Sequence, residues 1–194
     1  MWRNFALNDE SGTVICSYPE GAKVPAIPIP YCEETMTGFE YALAGLMIAN
    51  GSVAEGENMV RAVRDRYDGE KRNPWNEIEC GSNYARSMAS FALMPIYSGF
   101  SFDMSVGYIG FAPIAGEGDF LWSVGESWGR VSVDGRGHRL SVLGSPLSLE
   151  SYGIEGAERV RSVRVDGREL AFALRDGKIT FERITVKEKF EIYA

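Results

Sequence analysis

Residues 71–90 hold the densest group of side chains in this chain that could do chemistry. Two carboxylates, Glu77 and Glu79, an indole, Trp75, and a guanidinium, Arg86, surround a sharp Gly81-Ser82 break. These types suit a polar, hydroxyl-rich ligand. Carboxylates accept from paired hydroxyls, a guanidinium donates in a fixed fork, and an indole offers an apolar plate. In an extended segment Glu77 and Glu79 fall on one side and Ile78 on the other. Two acids on one face do not flank a bond from opposite sides, so the pair does not read as a catalytic couple, and Glu79 reads as structural. Glu77 and Arg86 also read as an internal ion pair that pins the loop to the next helix. Arg86 falls in the first turn of that expected helix, against the helix dipole, so it needs a ligand or a carboxylate partner.

The bulk composition narrows the partners. The chain has 194 residues, is 45% hydrophobic and carries a net charge of −7. That argues against nucleic acid or an anionic membrane surface, because both demand a basic footprint. Arg159, Arg161, Arg164 and Arg168 form the one basic cluster and read as a solvated strand face. No apolar stretch reaches membrane-span length. The three cysteines, Cys16, Cys32 and Cys80, lie far apart in sequence and show no CxxC. Reduced thiols in a cytoplasm fit them best, and neither a disulfide framework nor a zinc site is expected. The single histidine, His138, sits in the turn-like segment 134–139 and reads as solvated. Clustered histidines and a glycine-rich phosphate loop are both missing, so no metal or cofactor is expected.

Several elements must position these groups. Residues 1–36 read as irregular or extended, with three prolines between Val24 and Tyr31. Phe39, Leu43, Leu46 and Met47 recur at helical spacing and predict a buried face. Asn50-Gly51 ends that helix. Ser52 and Glu55 form a capping-box pattern for a second helix with Val53, Val60, Val63 and Tyr67 inward and Arg61, Arg64 and Arg66 elsewhere. The short connection predicts an antiparallel hairpin. A third helix is expected to open at Ser82 or Asn83, to be buried on several sides and to end or kink at Pro95. Glu33 and Glu40 read as surface or helix-start charges. Beyond Gly99, glycines and aromatics dominate, and Asp134-Gly135, Asp166-Gly167 and Asp176-Gly177 punctuate short β-rich runs. Trp122 and Trp128 read as core or sandwich residues. The run 184–192 alternates and predicts one edge or half-exposed strand.

Three motifs in order resemble glycoside hydrolase family 116, the non-lysosomal glucosylceramidase and bacterial β-glucosidase type. They are Pro30-Tyr-Cys-Glu-Glu-Thr-Met-Thr-Gly-Phe-Glu-Tyr41, Val63-Arg-Asp-Arg-Tyr-Asp-Gly69 and the long run from Asn73 to Ser90. Phe102-Asp-Met104 and Gly110-Phe-Ala-Pro113 continue the likeness. It covers residues 1–130, and residues 131–194 form a separate β-rich segment. The resemblance implies an α+β chain: helical hairpins like the last helices of an (α/α)6 toroid, then a β-hairpin-rich part. It implies a retaining β-glycosidase whose glutamate nucleophile and aspartate acid/base lie upstream, so no catalytic residue is expected here. It implies that Glu77 and Arg86 hold hydroxyls of the innermost sugar and that Glu34 lies near the pocket, and Trp75 joins them as a stacking candidate. Met36 stands where the family often has Trp, and Asn83 where it often has His. The expected partners are a β-glucoside or related sugar and an upstream polypeptide that completes the toroid. The alternative is a non-catalytic carbohydrate-binding or structural fragment that needs a partner chain.

Overall fold

A computed structural model describes residues 9–27, 31, 32, 35–77, 86–114 and 116–194. The described residues form a mixed α+β chain with three α-helices and two β-sheets. Two compact units divide it, Met1–Leu93 and Met94–Ala194. The family likeness drawn to about residue 130 therefore spans the first unit and the start of the second.

The first unit is built on a helical hairpin, α1 (Thr37–Ala49) and α2 (Val53–Arg66). Asn50 and Gly51 end α1 as the sequence predicts; Gly51 takes a φ of 90°, which glycine adopts without strain. Ser52 precedes α2, but its side chain makes no capping hydrogen bond. Gly56 packs directly against α1. A Cβ there would lie 2.6 Å from Ile48 Cγ1 and 2.7 Å from the Ala44 carbonyl oxygen.

The buried face of α1 is not the one its apolar spacing predicts. Thr37, Glu40, Tyr41, Ala44, Gly45 and Ile48 face inward, while Phe39 and Leu46 are 63% and 60% exposed. The helix is apolar nearly all round, so periodicity alone could not choose a face; buried polar partners chose it. On α2, Val63 and Tyr67 are buried as expected, and so is Arg66, which the sequence reading sent outward. Glu40, read as a surface charge, is its buried partner.

The third helical segment also differs from expectation. Its predicted start at Ser82 or Asn83 lies outside the described residues. A 3-10 helix, Ser87–Ala92, runs directly into α3 (Leu93–Ser98). Met88 and Phe91 are exposed, not buried, since the described unit offers no element to cover that side. Pro95 lies within the first turn of α3, where a missing N–H costs no intrahelical bond.

The second unit is a two-layer β-sandwich. Its strands are β1 (Ser101–Asp103), β2 (Tyr108–Phe111), β3 (Gly118–Val124), β4 (Ser127–Asp134), β5 (Gly137–Val142), β6 (Leu147–Ile154), β7 (Ser162–Val165), β8 (Arg168–Glu169), β9 (Ala173–Arg175), β10 (Lys178–Val186) and β11 (Lys189–Tyr193). One sheet has the order β1-β2-β6-β10-β9 and the other β3-β4-β5-β11-β7-β8. Among the described strands only the β2–β6 pair is parallel. Ile109, Leu149 and Ile179 from the first sheet share one apolar cluster with Trp122, Val131, Leu140 and Ile192 from the second. Alternating burial along β4 and β5 turns their apolar residues into that cluster. Trp122 is core, but Trp128 is 46% exposed.

The Asp-Gly turns form as expected. Asp166 and Asp176 take positive φ, as do Gly167 and Gly177 after them, which is the turn geometry that matches strand twist. The run 184–192 is not one edge strand. It is the end of β10, where residues 184–186 pair with β6 alone, and residues 189–192 of β11, which lies in the other sheet between β5 and β7. The break in alternation at Glu188 marks this crossing. There the Asp166 carboxylate accepts the main-chain N–H groups of Lys187, Glu188 and Lys189 at 3.1, 2.9 and 2.9 Å.

Candidate functional site

The loop before Glu77 is set by a turn over residues 73–76. Asn76 N–H donates to the Asn73 carbonyl at 3.1 Å, and the Asn73 side-chain oxygen accepts from Trp75 N–H at 2.9 Å. This turn leaves the Trp75 side chain 75% exposed and carries the chain inward, so that Glu77 is 5% exposed. Both Glu77 oxygens are engaged. The Thr37 hydroxyl donates to Oε2, and the Arg86 main-chain N–H donates to Oε1 at 3.1 Å. Thr37 opens α1, so the carboxylate sits at the end of the helix whose dipole favours an anion.

Two of the three motifs therefore meet. Thr37 and Gly38 come from the Glu-x-x-Thr-Gly motif, and Glu77 and Arg86 from the long third motif. Gly38 faces the Arg86 stem closely enough that a Cβ would lie 3.4 Å from Arg86 Cδ. Arg86 is exposed and immediately precedes the 3-10 helix. Its contact with Glu77 runs through the main chain, which the sequence reading of a guanidinium–carboxylate pair did not foresee. Glu34, Glu79 and Asn83 lie outside the described residues.

A second charged cluster anchors the segment before α1. Arg66 Nη2 pairs with Glu40 Oε2, and both side chains are 1% exposed. Arg66 Nη1 also donates to the Ser11 carbonyl at 2.5 Å, and Thr13 N–H donates to Glu40 Oε1 at 3.0 Å. Arg72 forms a two-pronged pair with Glu10, its Nη2 lying 2.9 Å from Oε2, and this raises the arginine's pKa. These contacts border a cleft of about 670 Å3 whose walls include Asp9, Glu55, Asp65 and Lys71. Residue spacing carries no cue to the pairing of Glu40 with Arg66, since the two lie on separate helices.

In the β-sandwich, His138 overturns its expectation. It is a β5 residue, buried, not a solvated loop residue. The β4–β5 connection is tight, with Asp134 paired to Gly137, so the strand has already begun at His138. Its Nδ1 lies 3.0 Å from the Tyr152 hydroxyl, and the two rings meet edge to face. Burial lowers its pKa to about 4, and the nearby Asp134 carboxylate only partly offsets that. Burial likewise raises the Tyr152 pKa well above the usual phenol range. His138 borders a cleft of about 730 Å3, with Glu117, Asp134, Glu155 and Arg159 on its walls. Asp134 itself is held below the usual carboxylate range by Arg139 and by the Arg136 amide.

Among the described residues, no cluster of three or more His, Cys, Asp or Glu side chains could hold a metal ion. No described helix is long and apolar enough to cross a membrane. No protein-family model matches the chain, and no curated protein matches it.

Proposed function

We propose that this chain is the C-terminal part of a retaining β-glycosidase of the glycoside hydrolase family 116 type. In this reading it supplies residues that hold the sugar, while the catalytic glutamate and aspartate belong to an upstream polypeptide in the same cytoplasmic enzyme. One observation supports it above the others: Thr37 and Gly38 converge on Glu77 and Arg86 from forty residues away. Two motifs with no reason to meet in a generic helical hairpin are joined through one buried carboxylate. That carboxylate uses one acceptor position on each oxygen, and an ionised carboxylate has about four. The remaining lone pairs suit sugar hydroxyls, the Arg86 fork suits a neighbouring hydroxyl, and Trp75 offers a plate for a sugar ring. Glu34 completes the proposed binding set. In a toroid of six helical hairpins, each hairpin is flanked on both sides, which gives the outward Phe39 and Leu46 neighbours to pack against.

The test is an assay of the purified chain on an aryl β-glucoside, beside calorimetric titration with a glucose-configured iminosugar. No turnover is expected. Enzyme-like turnover that Glu77→Gln abolishes overturns the reading, because both catalytic carboxylates would then lie inside these residues. Saturable binding that Arg86→Ala leaves unchanged removes the assigned sugar grip.

The exposed Phe39, Leu46, Met88 and Phe91 favour a second reading. In it the chain is a non-catalytic sugar-binding or structural piece that needs a partner chain to cover them. Light scattering separates the cases. A monodisperse, stable monomer at high concentration removes the need for such a partner.

A further inference from the structure

Cys16 and Cys32 are separated in sequence but adjacent in the fold. The Cys16 main-chain N–H donates to the Cys32 carbonyl at 3.2 Å. Bond lengths on either side of a single main-chain hydrogen bond keep the two α-carbons within about 6.5 Å of each other, and disulfides span α-carbon separations of about 4.4–6.8 Å. Neither residue is in a disulfide in this structure. Their environments differ: Cys16 is half-buried and Cys32 is 4% exposed. The bond also lies at a junction. The chain just before Cys16 delivers Ser11 and Thr13 to the Arg66–Glu40 pair on α2 and α1 and Glu10 to Arg72 beyond α2, and the chain after Cys32 leads through Thr35 to Thr37.

We propose that Cys16 and Cys32 are a redox-responsive dithiol, a modification site that closes to a disulfide when the surroundings turn oxidising. Cys16 is the attacking thiol because it is the more accessible one. With a small disulfide such as oxidised glutathione, the Cys16 thiolate attacks one sulfur and expels one glutathione thiolate. The Cys32 thiolate then attacks the Cys16 sulfur of the mixed disulfide and expels the second glutathione thiolate. Two protein thiols are oxidised and one glutathione disulfide is reduced to two thiols. In a reducing compartment the pair rests as thiols, as the absence of a CxxC pattern led us to expect, and closes only under oxidative challenge. The loop between the two residues is then sealed covalently, clamping the segment that carries Glu10 and Ser11 to the approach to α1.

The experiment treats the full chain with oxidised glutathione under native conditions, quenches with acid, and counts thiols before non-reducing tryptic mapping. The thiol count is expected to fall from three to one, with peptide 4–23 linked to peptide 24–61. Cys80→Ser is expected to leave that link intact, and Cys16→Ser to abolish it. In urea the linkage is expected to scatter among all three cysteines, which shows that the fold directs the pairing. Three unchanged thiols, a persistent glutathione adduct on Cys16, or a linkage through Cys80 in the folded protein overturns the proposal.

Discussion

The burial of His138 makes a quantitative statement about pH. An unfolded chain protonates this histidine near its ordinary pKa of 6.5, whereas the folded protein resists until about 4. Between those values the unfolded state binds the extra proton, so stability rises with pH across the window and is lost as pH falls through it. The stabilising contribution is complete above the unfolded pKa. Its ceiling is the shift multiplied by about 1.4 kcal/mol per unit, or about 3 kcal/mol. At about pH 4.5 most of that, about 2.5 kcal/mol, is already gone. Asp134, Asp166, Asp103 and Asp68 all have lowered pKa values, so their own losses fall at lower pH. Urea unfolding of the full chain, followed by fluorescence with the buried Trp122 as a reporter in the sandwich, measures the loss. The comparison is His138→Gln, which keeps a polar group toward the Tyr152 hydroxyl but does not titrate. The variant is expected to start less stable and to be nearly flat from about pH 7.5 to about 4.5, while the parent declines. Equal slopes in parent and variant refute the assignment.

Three further outcomes follow from the packing. Glu40→Ala strands the buried Arg66 charge and is expected to cost about 3–5 kcal/mol, whereas the apolar double replacement Glu40→Leu with Arg66→Met recovers much of it; equilibrium unfolding read by helical circular dichroism checks both. Gly56→Ala places a methyl group against the Ala44 carbonyl and Ile48, and the overpacking is expected to cost about 1–3 kcal/mol despite alanine's better helix propensity. A gain in melting temperature contradicts that close approach. Asp166→Ala removes the acceptor for three main-chain amides at the β10–β11 crossing; at this exposed turn the expected loss is about 1 kcal/mol, and faster amide exchange at Lys187, Glu188 and Lys189 is its signature.

Local chemistry was legible in the sequence; long-range pairing was not. The Asp-Gly turns were readable because Asp and Gly tolerate the positive φ that Asp166-Gly167 and Asp176-Gly177 adopt in their tight turns. The α1–α2 hairpin was readable from Asn50-Gly51 and the short connection. The inward face of α1 was hidden, since Thr37 and Glu40 face inward through partners on other elements, while Phe39 and Leu46 carry the stronger apolar signal outward. His138 was misread because a two-residue turn ends sooner than the polar run 134–139 suggests. Glu77 stands out in the sequence beside Trp75 and Arg86, but its hold on the Arg86 amide depends on a chain path that spacing does not encode.

The sandwich has a temporal consequence. β10 fills the gap between β6 and β9, and β11 the gap between β5 and β7, so neither sheet is continuous until these two strands arrive. During synthesis the earlier strands must wait beside the ribosome with open hydrogen-bonding edges, vulnerable to their counterparts on neighbouring nascent chains. The lysines and glutamates that crowd residues 178–191 accordingly belong to the segment that supplies the missing strand of both layers.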